Sequence, residues 1–461
     1  MDKEIIGKKD LPLFTSAVRV NLSYVYFKEG MQDTKATFEV TIRDSDKRNY
    51  YVLGGVHSII DFLKDMKFTE DHLDYFKKVY GYDDDFMQYL RKFRFRGDIW
   101  AMPEGSICFP GEPVMRITGT VIELSLMEQF VINTIMHQTM LASKFARVRT
   151  TAMNCTIGMT HVRSHGIESG IKAVRIAKMV GLDSSSMTFH SFKSGDLRQE
   201  SWAATHFCIQ SFDNEIEAFR AFTKYNPERS MILIDTYDFD KGLENFIQVA
   251  KETEKTGRKL RAIALDSGDH VEQSIKVRER LNKEGLNYIQ IIAAGNYDEY
   301  KIKKMINAGA KIDLYIVATE VVNSTDAPKL EVVFKMVELE KNNKIVYKIK
   351  LASEKVSYPG KKQVCNFIKD GKIIHRQIVL AEEVSDNQGL LIKIMDEGDL
   401  LMKLPSTDQI KQHFLSQIPK FPQEIFNISE KVVFPVKISD NLQALFEQVK
   451  IKNQNGESYE K

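Results

Sequence analysis

Between residues 231 and 320 the chain alternates short apolar runs with longer polar stretches, three times over, before a fourth begins. The run 231–235 is apolar up to Asp235, and 260–266 repeats the pattern up to Asp266. The next run, 288–295, ends at Gly295, and 314–319 ends at Thr319. Between them, 242–255, 271–283 and 297–307 carry helical periodicity. Parallel strands covered by helices on both faces are written as continuous apolar runs, separated by the connecting helices. A right-handed succession of such units predicts an α/β fold, either doubly wound or closed into a barrel. Ligands of both architectures sit at the carboxyl edge of the strands, which makes Asp235, Asp266, Gly295 and Thr319 candidate binding residues.

The flanking sequence has a different rhythm. Residues 36–42 alternate as a half-buried strand, and 59–63, 71–79 and 85–93 read as short amphipathic helices. The stretch 99–120 sets three prolines and three glycines among apolar pairs, which predicts short strands and tight turns. Residues 123–147 form a long helix with few charges, expected to be buried between domains or subunits. The helix predicted over 171–179 closes at Gly181, while 184–206 has no clean period and reads as a long surface loop. Residues 213–225 are helical again. Beyond the repeated core, 330–350 predicts two strands around Asn342 and Asn343. Residues 356–399 read as a β-rich appendage with turns at Gly360 and Gly371, 440–450 as a helix, and 453–458 as a frayed tail.

Composition narrows the class. The chain has 461 residues, 43% hydrophobic and 28% charged, with a net charge of +2, enough for two or three domains. Acids and bases are interspersed, which argues against a nucleic-acid partner. No apolar stretch approaches a membrane span, and the polar opening predicts no signal peptide. Cys108, Cys155, Cys208 and Cys365 lie far apart, which suits a reducing compartment and the cytosol, without a zinc site.

Several motifs, in order along residues 15–380, resemble the nicotinate phosphoribosyltransferase family. They are Gly97-Asp-Ile-Trp-Ala-Met-Pro-Glu-Gly, Phe109-Pro-Gly-Glu-Pro, and a helix carrying Glu128, Asn133, Thr139 and Arg147. Glu215-Ile-Glu-Ala-Phe-Arg, Ile234-Asp-Thr-Tyr-Asp and Leu265-Asp-Ser-Gly-Asp follow, then Tyr297-Asp-Glu-Tyr, Ser324-Thr-Asp-Ala-Pro and Pro359-Gly-Lys-Lys-Gln-Val. The resemblance implies a type II phosphoribosyltransferase fold: an irregular α/β barrel with an α+β domain built from both chain ends, assembled as a homodimer. The corresponding domains are 1–125, 126–345 and a C-terminal β-rich part, 346–461, packing with the first. The reaction implied joins nicotinate to phosphoribosyl diphosphate, with Mg²⁺ and with ATP that transiently phosphorylates a histidine. His206 matches that histidine. Asp235, Asp266, Asp269, Gly295 and Thr319 fall where ribose, phosphate or Mg²⁺ would be held.

That chemistry has physical requirements. A phosphate needs backbone N–H groups and close approach, a carboxylate and a diphosphate need arginine forks, and a pyridine needs an aromatic clamp. This sequence departs from the family at those positions. The tyrosine-bearing Thr-Asp-Leu-Tyr reads Thr15-Ser-Ala-Val, and Phe-Gly-x-Arg-Arg reads Ile157-Gly-Met-Thr-His. The glycine-threonine run before the histidine reads Trp202-Ala-Ala-Thr, and the arginine two residues before Asp266 is Ala264. The phosphate loop Gly-Val-Gly-Thr-Arg reads Ile316-Val-Ala-Thr-Glu. Arg163 stands five residues after Gly158 and is the candidate replacement for a lost arginine.

The plain alternatives stay open at each position. Asp235, Asp266 and Asp269 suit helix caps as well as ligands. Gly295 suits a turn as well as a phosphate approach, and His206 suits a helix start. The histidines at 161, 165 and 190 fit no zinc spacing and read as solvated loop residues. The sequence is read first as a degenerate relative, scaffold kept and site dismantled, with a binding or scaffolding role. An active nicotinate phosphoribosyltransferase and a phosphoribosyltransferase of altered specificity are the alternatives.

Overall fold

The computed structural model describes residues 7–194, 202–341, 344–351, 356–385 and 388–460. The chain divides into two compact units. One comprises Leu141–Pro328 with Ile428–Glu430; the other comprises Met1–Met140, Lys329–Asn427 and Lys431–Lys461.

The central unit is a seven-stranded parallel sheet with helices between its strands. Its spatial order is Ser184–Ser185, Thr156–Met159, Leu314–Val317, Gln290–Ala294, Ala262–Leu265, Ser230–Leu233, Trp202–Ala204. The four repeated runs of the sequence are thus adjacent and parallel, as predicted, with Ile292 level with Ala264 and Leu314. All four residues of Ala262–Leu265 are buried. The helices Phe239–Glu254, His270–Lys283 and Glu299–Asn307 begin at Asp238, Asp269 and Asp298, whose carboxylates accept backbone N–H groups of the first turn. Close packing shows at Gly242, where a Cβ would stand 1.9 Å from the Ile234 carbonyl oxygen. Among the described strands, the ladder stays open between the edge strands Ser184–Ser185 and Trp202–Ala204.

The terminal unit holds a seven-stranded antiparallel sheet in which Lys35–Ile42 lies between Val332–Lys341 and Pro113–Thr120. A second sheet joins Lys362–Lys369, Lys372–Leu380 and Val436–Ile438. The hairpin of that sheet turns at Asp370 and Gly371, with φ of 50° and 74°, the left-handed pair that an Asp-Gly turn supplies. Two pairs of buried charges here lie in close contact, as their desolvation requires. Lys362 lies 2.8 Å from Glu39, and Arg376 lies 2.9 Å from Glu112 while stacking on Phe109 and Phe421.

Two expectations are corrected. The 184–206 stretch is not one long loop: it contains a short strand, the helix Thr188–Ser194 and the strand Trp202–Ala204. The polar, aperiodic sequence there comes from strands of two or three residues, too short to show alternation. The end of the chain does not fray from residue 453. The last helix runs Asp440–Gln454, and Glu460 then bridges to Val346, with Tyr347 N–H donating to the Tyr459 carbonyl. The predicted turn at Asn342 and Asn343 lies outside the described residues, between the antiparallel strands Val332–Lys341 and Lys344–Tyr347. The long helix is Val121–Thr151, and its apolar positions, from Leu124 and Met127 to Phe145 and Val148, are buried within the chain itself. No described helix is long and apolar enough to cross a membrane.

Candidate functional site

The carboxyl ends of the parallel strands bring several predicted residues together. His206 opens the helix His206–Gln210 just after the edge strand Trp202–Ala204. Its Nδ1 lies 3.0 Å from Thr236 Oγ1, and its Nε2 lies 3.5 Å from Asp266 Oδ2. Both ring and carboxylate are partly open to solvent, at 38% and 41%. A histidine held on one nitrogen by a hydroxyl and facing a carboxylate with the other has a fixed orientation.

The strand-end aspartates differ in what they do. Asp269 is a helix cap, accepting from Val271 N at 2.9 Å and Glu272 N at 3.2 Å. Asp235 is not a cap; Asp238 takes that role in its loop. Asp235 Oδ2 instead gathers the next loop, accepting from Asp266 N at 3.1 Å, Ser267 N at 2.7 Å and Ser267 Oγ at 2.6 Å. Its Oδ1 is buried with no hydrogen-bond partner. Asp266 therefore reaches the mouth on a loop that Asp235 holds.

Gly295 has φ of 147°, a backbone state that L-residues avoid. Thr319 starts the short helix Thr319–Val322, and its hydroxyl is buried without a partner. Glu320 bonds to Thr325, turning its carboxylate back onto its own loop. Arg163 is exposed, and its carbonyl accepts from Asn323 Nδ2 at 2.8 Å. The structure thus gathers His206, Asp235 and Asp266. It gives Arg163 only a loop contact through its backbone, and Arg198, a second arginine of the irregular stretch, lies outside the described residues.

Below the mouth, the inner face of the sheet bounds a cavity of about 350 Å³. Alternate strand positions point into it: Met231 and Leu233, Ala264 and Asp266, Ile292 and Ala294, Leu314 and Ile316. Gly158 belongs to the lining too, and a Cβ there would come within 2.9 Å of Ser184 Oγ. Two of the positions where the sequence departs from the resembled family, Ala264 and Ile316, therefore face this space. The strand ends alone do not reveal this inward set. Parity was the signal available: residues 231 and 233 share the face of Asp235, and Ala264 that of Asp266.

A second histidine was also missed. His270 Nδ1 pairs with the hydroxyl of Tyr297, while its Nε2 is buried without a partner. Burial holds His270 below the usual histidine range, against the opposing pull of a Ser267 backbone contact and of Asp235, Asp266 and Asp269. Burial also pushes the Tyr297 phenol up and His161 down. Among the described residues no group of three or more His, Cys, Asp or Glu side chains gathers around one point. The unpartnered Asp235 Oδ1 and the open Asp266 carboxylate are oxygen ligands of the kind Mg²⁺ takes, alongside substrate phosphates.

Comparison with known proteins puts this geometry in context. Residues 13–136 match the nicotinate phosphoribosyltransferase (NAPRTase) N-terminal domain, and 338–446 match the nicotinate phosphoribosyltransferase C-terminal domain. The chain is 33% identical over 436 residues to nicotinate phosphoribosyltransferase pncB2 of Mycobacterium tuberculosis, covering 93% of this chain and 92% of that one. It is 29% identical to nicotinate phosphoribosyltransferase of Bacillus subtilis over 94% of each chain. Its fold is similar to human nicotinic acid phosphoribosyltransferase, with a TM-score of 0.84 at 20% identity, over 94% of this chain and 99% of the other. Nicotinate-nucleotide pyrophosphorylase from Pyrococcus furiosus follows at 0.72 and 19%, over 91% and 98%.

Proposed function

The chain belongs to the nicotinate phosphoribosyltransferase family, and we propose that it is a degenerate member, weakly active or inactive in nicotinate turnover, serving to bind or scaffold. The observation that carries this reading is the lining of the cavity under His206. Ala264 and Ile316 stand where the resemblance places an arginine and a glycine, and Arg261 is the one arginine or lysine among the described lining residues. A diphosphate and a carboxylate need several forked donors, so a wall of Leu233, Ala264, Ile292 and Ile316 gives them little to bind. Calorimetry with phosphoribosyl diphosphate and Mg²⁺ tests it: silence is the expected result, and saturable micromolar binding removes the reading.

An active nicotinate phosphoribosyltransferase is the second reading, favoured by the retained His206 and by relatives of that activity across nearly the whole chain. In that case His206 would take a phosphoryl group from ATP, oriented by Thr236 and Asp266. Asp235 and Asp266 would hold Mg²⁺ together with the diphosphate, and Mg²⁺ would offset the charge that develops on the leaving group. A phosphoribosyltransferase of altered base specificity is the third. All three place the protein in the cytosol as a homodimer. Four free cysteines support the first point. Exposed Val162, Ile167, Phe192 and Phe207 support the second, since side chains of this kind ask for cover.

A further inference from the structure

The cavity inside the parallel sheet has a chemical character of its own. It runs from Arg261, before one strand, to Thr205, His206 and Asp266, beyond the strand ends. Its walls between those ends are aliphatic or thioether side chains, with Gly158, Ala203, Ala264 and Ala294 leaving the room. At about 350 Å³ it falls in the range of roughly 300–1,000 Å³ typical of small-molecule pockets. Water gains little in such a space, because a buried water needs two to four polar partners and apolar cavities stay dry.

The polar groups gather at the ends. At the mouth stand Thr160, Ser184 and Ser186 with Thr205 and His206. At the far end Arg261 Nε donates to Gln290 Oε1 at 3.3 Å. The single carboxylate of the lining, Asp266, stands 3.5 Å from His206. Among the described residues such a site favours a neutral guest: an anion would meet Asp266 with no arginine fork beside it, and a cation would lose its hydration against Leu233 and Ile316. Aromatic or aliphatic bulk fits the walls, and a single hydrogen-bonding group fits the mouth.

We infer that this cavity is a binding site for an uncharged, predominantly apolar small molecule carrying one hydrogen-bonding group directed at the mouth. The inference rests on the reading of a dismantled phosphate site, and it supplies the class of ligand that such a site would take.

Indole is the probe, titrated into the full chain by calorimetry, with methionine methyl resonances followed in parallel. The expected result is saturable binding that shifts the methyls of Met159 and Met231, which line the cavity, and leaves that of Met102, in the other unit, in place. Ala264→Leu and Ala294→Leu fill the space and should each weaken indole about tenfold or more, as an added methylene does in a fitted pocket. The methyl shifts of the unaltered chain stand even if either variant folds poorly. Unmoved Met159 and Met231 overturn the inference, as does unchanged affinity in both folded variants. Phosphoribosyl diphosphate with Mg²⁺ is titrated alongside. Silence from both ligands overturns this inference alone, and binding of the diphosphate without indole overturns the degenerate-site reading as well.

Discussion

Lys144 Nζ lies 2.6 Å from Glu299 Oε2, and neither side chain has any exposure. The contact is a close ion pair rather than an aligned hydrogen bond, and it sits in a wider network. Lys144 also reaches Asp326 at 2.8 Å, while Arg147 Nε donates to Glu299 Oε1 at 2.7 Å and its Nη2 to the Tyr300 hydroxyl at 2.7 Å. Three motifs that carried the family resemblance, around residues 147, 299 and 326, meet here. They are structural. Removing one partner of a buried pair strands the other, so Lys144→Ala should cost about 3–5 kcal/mol. Urea unfolding of the central unit checks it, and a loss below about 1 kcal/mol contradicts the buried-pair account.

Asp235 should behave as the keeper of the Asp266 loop. Asp235→Ala removes the acceptor of two backbone N–H groups and one hydroxyl. The expected cost is about 1–3 kcal/mol, the penalty of unsatisfied donors, with faster amide exchange at Asp266 and Ser267. Asp235→Asn keeps an acceptor oxygen and should recover much of both effects. Equal exchange in Asp235→Ala and the unaltered chain would refute the role.

A pH dependence follows from His270. Its pKa is lowered on folding by burial, so the unfolded chain binds the proton more readily in the window below the ordinary histidine value. Stability from this group is complete above that value, and it falls as pH drops toward the depressed folded pKa. Between pH 7.5 and 5.5, roughly spanning that window, the unaltered chain should lose more of its urea midpoint than His270→Gln does. Parallel losses in the two proteins would assign the effect to other groups, such as His161 or His413, which burial also lowers.

Turnover should be poor. With nicotinate, phosphoribosyl diphosphate and ATP the purified chain is expected to run at least about a thousandfold below an ordinary enzyme rate, since losing one positioned donor costs about 10²–10³. On the proposed reading, Thr160, His161, Ala264 and the loop at Ile316 stand where the resemblance places such groups. Their effects need not multiply, so the figure is a floor. Ile316→Gly with Ala318→Gly and Glu320→Arg should improve phosphoribosyl diphosphate binding before turnover. A rate near one per second, within the usual enzyme range, would overturn the expectation.

The long parallel strands were legible because both faces are buried, which leaves an unbroken apolar run such as 262–265. The Asp-Gly hairpin at Gly371 was legible for the opposite reason: its signal is local. Ser184–Ser185 carried no pattern, since two residues cannot alternate. The helix Ala17–Lys28 went unread because its apolar residues spread around it, leaving Val18 and Val25 exposed and only Val20 and Ser23 buried. At the strand ends, His206, Asp235 and Asp266 were readable as candidates, but the contacts that each makes were not. That Asp235 holds a neighbouring loop depends on contacts between strands, which spacing within one segment does not encode, whereas the Asp269 cap is local.

The terminal unit draws strands from both ends of the chain, and synthesis on the ribosome runs in one direction. Lys35–Ile42 is made early, yet one of its two neighbours is Val332–Lys341, which emerges after the whole central unit. The strand Val436–Ile438, which completes the smaller sheet, comes later still. The order of birth is therefore inside-out: residues 141–328 have their core available while the first 140 still wait beside an unpaired strand edge. A nascent chain halted before residue 332 should expose that edge to chaperones, and one released after residue 438 should not.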